Sequence, residues 1–241
     1  MLPSDKLREL AVKKQTTELN VRREYIQHVL LSYFYQQPQS GNIFFKGGTA
    51  LRLIYNSPRF SEDLDFSTPH SNVATIEDAV QNTLTEVERE GIGTEIVEST
   101  PTTDGYLAII ECYLAQEKIT VQIEISFRDK DAQGEVVTIA SDFVPPYTIM
   151  GLAEEQLVKQ KIRALLLRRK PRDFYDIYFI LRKEHMMPPQ EKTILPQVLK
   201  ALGESKISFD KELAQFLPRS HWALLKDFQS VLEREIQKFI S

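Results

Sequence analysis

Ile43-Phe44-Phe45-Lys46-Gly47-Gly48-Thr49-Ala50-Leu51-Arg52-Leu53-Ile54, followed after Asn56-Ser57-Pro58 by Asp63-Leu64-Asp65-Phe66, decides how the rest of the chain is read. The first run is β-prone, breaks at two glycines and continues with helix-forming residues, which spells strand, turn and helix start. The second is a short strand. Side chains alternate along a strand, so Asp63 and Asp65 share one face while Leu64 and Phe66 enter the core. Two carboxylates this close repel, and a divalent cation between them relieves the cost. Taken alone, an Asp-Leu-Asp triplet reads more readily as a solvated strand face. The glycine pair adds a complementary feature: glycines let backbone N–H groups approach an anion at a helix start, where phosphate oxygens are well received. The glycines lack the spacing of a P-loop and of a dinucleotide-binding turn.

Working outward, the apolar positions from Ser4 to about Gln37 recur at three- and four-residue steps, with a break near Thr16-Thr17, and predict amphipathic helices. A helix is expected over about 72–89, then strands at 92–97, 107–114 and 119–127, the last two joined in a hairpin around Ala115 to Lys118. The run Ile119 to Phe127 alternates without error, placing Gln122, Glu124 and Ser126 on its polar face. Beyond Pro145-Pro146 the pattern is helical throughout, over 153–169, 172–183, 192–202 and 221–239. These elements predict an α+β chain of two lobes. Residues 1–150 form the first, with the N-terminal helices and a mixed sheet, and residues 151–241 form a helical lobe that completes the active site.

Composition narrows the possibilities. With 241 residues, 42% of them hydrophobic and 27% charged, the chain is expected to fold around its own core. Apolar runs are short and the N-terminus lacks a secretory pattern, which predicts a cytoplasmic protein with no membrane partner. Cys112 is alone, and the four histidines show no ligand spacing, so disulfide, thiol-redox and zinc chemistry drop out. The net charge of −4 disfavours indiscriminate nucleic-acid coating.

Phe45-Lys46-Gly47-Gly48-Thr49-Ala50-Leu51-Arg52-Leu53-Ile54-Tyr55, continuing through Arg59-Phe60-Ser61-Glu62-Asp63-Leu64-Asp65-Phe66, resembles the first motif of the AbiEii/AbiGii-type nucleotidyltransferase toxins, which include the MenT toxins. Glu154 to Leu165 and Arg169 to Tyr178 resemble that family's later motifs. The resemblance spans roughly residues 43 to 182. It implies a polymerase-β-like nucleotidyltransferase fold, a magnesium site on Asp63, Asp65 and an acid of a later strand, and a triphosphate held by Gly47, Gly48, Thr49, Ser61 and an essential lysine. By resemblance the later acid is Glu124, with Glu111 on the neighbouring strand as competitor; the lysine is Lys161, and a downstream catalytic aspartate is Asp176. It further implies an NTP substrate, a tRNA 3′ end as acceptor, and a cognate antitoxin encoded by a neighbouring gene.

The residues support Lys161 independently. On a helix it lies in the row of Leu157 and Leu165, so its stem follows the buried face and its ammonium needs an anionic target. Lys159 is the alternative. Asp173 suits the first turn of a helix opening at Pro171, whereas Asp176 lies a turn beyond and is expected to orient Lys161 or the nucleotide. Lys159, Lys161, Arg163, Arg168, Arg169, Lys170 and Arg172 place seven positive charges within fourteen positions, a stripe fit for an RNA acceptor or for ordinary solvation. Two further readings stay open: an enzyme of this fold acting on a small-molecule or protein hydroxyl, and a triphosphate-binding regulator without turnover.

Overall fold

The computed structural model describes residues 1–70 and 72–240. Two compact units emerge, Met1–Asn56 with Phe60–Ala153, and Ser57–Arg59 with the chain from Glu154 onward.

In the first unit α1 (Ser4–Lys13) and α2 (Glu18–Phe34) are separated at the expected break. Gln15 adopts a left-handed conformation there, and the Thr17 hydroxyl caps α2 by accepting the Asn20 N–H. Next come β1 (Phe44–Lys46), α3 (Gly47–Leu53), β2 (Leu64–Ser67) and α4 (Val73–Arg89), then β3 (Gly93–Thr102), β4 (Gly105–Leu114), β5 (Glu117–Ser126), β6 (Gly134–Ile139) and β7 (Tyr147–Leu152). The seven strands form one mixed sheet in the order β3-β4-β5-β2-β1-β7-β6. β2 runs antiparallel to β1 and parallel to β5, and β1 runs parallel to β7.

The sheet is built on its alternating strands. Ile119, Val121, Ile123 and Ile125 of β5 and Leu64 and Phe66 of β2 are buried, as are Ile76, Val80, Leu84 and Val87 of α4. Phe34 and Phe45 each pack a tilted ring against Phe66, at centroid distances of 5.2 and 5.5 Å. Burying a phenylalanine contributes about 1.5–3 kcal/mol, so this aromatic knot pins β1 and β2 at the centre of the sheet.

Three expectations need correction. β6 and β7 lie where the sequence pattern gave no strand, and the segment just after Pro146 is extended rather than helical. β7 is short and carries Gly151; it is held as a strand by antiparallel pairing with β6 along its length and by a parallel contact with β1 at Gly151, neither of which its own periodicity encodes. β3 continues to Thr102 although its residues are exposed or half-buried, because β4 pairs with it along its length; Pro101 is tolerated on this edge strand. Ser126 is buried, its hydroxyl accepting from Arg128, rather than standing on an open polar face.

The second unit contains α5 (Glu154–Arg168), α6 (Pro171–Arg182), α7 (Leu195–Glu204), α8 (Phe209–Leu213), α9 (Trp222–Leu225) and α10 (Phe228–Ile240). The helices expected over 192–202 and 221–239 are each preceded or interrupted by irregular turns. Arg169 in a left-handed conformation ends α5, and Pro171 opens α6. The Asp173 carboxylate accepts the Lys170 N–H at 3.1 Å and pairs with Arg168 at 2.6 Å, the structural role expected of it. Tyr175, Phe209 and Phe228 form the aromatic centre of this unit. Among the described residues no helix is long and apolar enough to cross a membrane.

His28 gives the sheet unit a pH dependence. It is buried against Phe143, and its Nδ1 lies 2.8 Å from the Tyr147 hydroxyl. Burial lowers its pKa to about 4, against a weaker opposing pull from Glu24. The unfolded chain therefore takes up this proton first, and the stability contributed by neutral His28 is present above the unfolded value and lost as pH falls toward 4. We expect unfolding free energy, measured by urea titration, to drop by about 3 kcal/mol from this group between pH 7 and pH 4. His28→Gln, which does not titrate, removes that share.

Candidate active site

The chain enters the site at the junction of β1 and α3. Gly47 has φ +84°, a left-handed conformation, and a Cβ built there would sit 2.1 Å from Asp65 Oδ2. Glycine is thus required both for the turn and for the approach of the carboxylate. Gly47, Gly48 and Thr49 form the first turn of α3, whose N–H groups lack partners within the helix. The Thr49 hydroxyl, expected to help grip phosphate, instead donates to the Asp63 carbonyl, so only its main chain remains available. Gln27 donates from Nε2 to the carbonyls of Ser61 and Glu62 at 3.0 and 2.9 Å. Residues 61–63 are thereby pinned from α2 and α3, which sets the start of β2. α3 is itself tied down at Arg52, which bonds Glu24 and lies over the Phe60 ring at 3.4 Å.

Strand register then aligns three charged residues. Lys46 of β1 is opposite Asp65 of β2, and Asp65 is opposite Glu124 of β5. Glu111 lies four residues along β4 from Leu107, the partner of Glu124, about 13 Å away, and is ion-paired with Lys118 at 2.9 Å. It drops out as competitor. Asp63 precedes the strand rather than belonging to it, and Glu124 leans toward Arg128 at 3.8 Å. Lys46 and Asp129 were not singled out from the sequence. Lys46 Nζ stands 4.0 Å from Asp129 Oδ2, which also accepts from Ser67 at 3.2 Å. Burial lowers the Lys46 pKa, and Asp65, Asp129 and Glu124 oppose the shift. A signal for Lys46 existed: its neighbour Phe45 is in the core, so alternation turns Lys46 to the acid face.

Among the described residues no three His, Cys, Asp or Glu side chains converge closely enough to hold a metal ion unaided. Asp63, Asp65 and Glu124 therefore do not form a closed cage, because Asp63 lies outside the strand register and Glu124 is drawn to Arg128. The donor set still suits a hard divalent ion. Magnesium characteristically takes one or two carboxylates and completes its shell with waters and substrate phosphates.

The remaining expected residues lie in the helical unit. Lys161 of α5 donates to Asp176 Oδ2 at 2.7 Å, and Arg59 forks onto the same carboxylate, Nε to Oδ1 at 2.8 Å and Nη2 to Oδ2 at 3.0 Å. Burial pushes the Asp176 carboxyl up, but the two cations more than offset it and hold it below the ordinary range. Lys159 is exposed and has no such partner, which favours Lys161 of the two. Of the basic stripe, Arg168 and Arg169 are paired with Asp173 and Glu204, while Lys159, Arg163 and Lys170 stay exposed.

Gly47→Ala is expected to destabilise the protein by about 1–3 kcal/mol through backbone strain and collision with Asp65. Adding Asp65→Ala should recover part of that loss in chemical denaturation. Strictly additive losses would show that the two residues do not meet.

The chain matches the family model described as "Nucleotidyl transferase AbiEii toxin, Type IV TA system" over residues 28–239. Its structure is similar to that of MenT4, a nucleotidyltransferase toxin from Mycobacterium tuberculosis H37Rv, with a TM-score of 0.73 at 15% identity over 100% of this chain and 90% of that one. It is also similar to JHP933 from Helicobacter pylori, with a TM-score of 0.62 at 22% identity over 92% and 95% of the two chains. At such identities these likenesses carry the fold alone. No protein of curated function matches the sequence. The family match takes in the glycine turn, the paired aspartates, Lys161 and Asp176, and by it this chain belongs to the AbiEii family of nucleotidyltransferase toxins of type IV toxin–antitoxin systems.

Proposed function

We propose that this nucleotidyltransferase moves a nucleotide from an NTP onto the 3′-terminal hydroxyl of tRNA, with Mg2+ as cofactor, and so blocks aminoacylation and translation. The observation that carries the reading is the approach of the Gly47 turn to Asp65, with Glu124 in register beside it. Asp63 and Asp65, with Glu124 in support, would hold the metal. When bound, Mg2+ neutralises triphosphate charge and stabilises the departing pyrophosphate. The N–H groups of Gly47, Gly48 and Thr49, with Ser61 nearby in sequence, receive phosphate oxygens, and Lys161, paired with Asp176 when no nucleotide is bound, supplies a positive charge. The acceptor oxygen bonds to the α-phosphorus as the bond to pyrophosphate breaks, and a carboxylate oxygen of the aspartate pair takes the hydroxyl proton. The exposed Lys159, Arg163 and Lys170 favour an RNA acceptor, since tRNA presents phosphates to such a surface. A cytoplasmic setting and a cognate antitoxin complete the proposal, the latter in keeping with the family's type IV assignment.

The open carboxylate arrangement favours one second reading, a regulator that binds a triphosphate without turnover. Incubation with each labelled NTP and total RNA, with and without Mg2+, separates the two. We expect metal-dependent label on tRNA, reduced about a thousand-fold or more in Asp65→Ala, as for loss of a metal-binding catalytic group. Equal labelling by wild type and variant sinks the catalytic assignment. NTP binding without pyrophosphate release selects the regulator, and label on a small molecule or protein replaces the acceptor. Replacing Lys159, Arg163 and Lys170 together with alanine should weaken tRNA binding and lower its salt slope by about two to three.

A further inference from the structure

Asp176 accepts three charge-assisted hydrogen bonds, two from Arg59 and one from Lys161, all within the helical unit. The side chains of Arg59 and Asp176 are only 4% and 2% exposed. A carboxylate so deeply buried cannot lose a sole counter-ion without leaving an orphaned charge in a low-dielectric interior. Were Lys161 that sole counter-ion, its ammonium would be locked in place. The guanidinium fork occupies both carboxylate oxygens, so Asp176 stays paired and hydrogen-bonded even when Lys161 turns elsewhere.

We propose that Arg59 is the resident counter-ion of Asp176, and that by holding this carboxylate it leaves Lys161 able to transfer its ammonium to a triphosphate oxygen. Arg59 is thus a positioning residue, acting through Asp176 and Lys161 without touching the nucleotide. The inference rests on the reading in which Lys161 engages the triphosphate. It accounts for a buried bidentate pair reaching 117 residues along the chain to a carboxylate that already has a lysine.

The test uses the full chain and inorganic tripolyphosphate, with affinity measured calorimetrically and normalised to the folded fraction seen by thermal unfolding. Arg59→Met should bind about ten- to a hundred-fold more weakly than wild type, the worth of one charge-assisted hydrogen bond, because Asp176 now retains Lys161. Arg59→Lys, which keeps the charge but loses the fork, should lose part of this affinity and serves if the methionine variant folds poorly. The double variant Arg59→Met with Asp176→Asn should regain affinity, since nothing then holds the lysine back; general structural damage would not be repaired by a second lesion. Wild-type affinity in both single variants, or no recovery in the double, overturns the role of Arg59 while leaving nucleotidyl transfer standing. Undiminished binding by Lys161→Ala overturns the premise shared with the proposed function. Absence of NTP transfer by wild type sinks that function alone, because the tripolyphosphate series reports on Arg59 without turnover.

Discussion

The contact between Gly47 and the Asp65 carboxylate is the constraint on which the site depends. Any side chain at position 47 would occupy the space of Asp65 Oδ2, and the backbone there is left-handed, so a single hydrogen in place of a methyl settles both the turn and the position of the acid. Around that contact the polar and apolar halves of the fold serve one another. Phe45 and Phe66 anchor β1 and β2 from the core, which fixes the register that sets Lys46, Asp65 and Glu124 in one row. Gln27 and Thr49 spend their side chains on carbonyls of residues 61–63, so the approach to the first aspartate is held by hydrogen bonds rather than by packing.

Lys46 shows how such a row balances itself. A half-buried lysine among three carboxylates is held as a counter-charge, and the acids in turn resist its deprotonation. In a site that must accept both a cation and a polyanion, a built-in positive group limits repulsion among the acids. The same logic recurs in the helical unit with the signs exchanged, where one carboxylate serves two cations.

What could be read from the sequence follows from the range of the interactions involved. β5 announced itself because its alternation is local, with Ile119, Val121, Ile123 and Ile125 all buried. The glycine turn and the placement of Asp65 were legible because turn chemistry and strand periodicity act over a few residues, whereas Asp63 falls just before β2 and outside its alternation. β7 was not, since its residues become a strand by pairing with β6 along its length and with β1 at Gly151, contacts that lie outside its own pattern. The role of Arg59 was not legible either, because its carboxylate partner lies 117 positions away. The diversion of the Thr49 hydroxyl to the Asp63 carbonyl was likewise invisible, because composition does not say which of several acceptors a hydroxyl will meet.

Ser57–Arg59 belongs to the helical unit although the residues on either side belong to the sheet unit. The polypeptide therefore changes unit three times along its sequence. During synthesis Arg59 leaves the ribosome long before α6 exists to receive it. No single cut in the sequence separates one unit whole from the other, so a C-terminal cassette carrying Asp176 relies on the recipient's own residue 59 for its guanidinium partner.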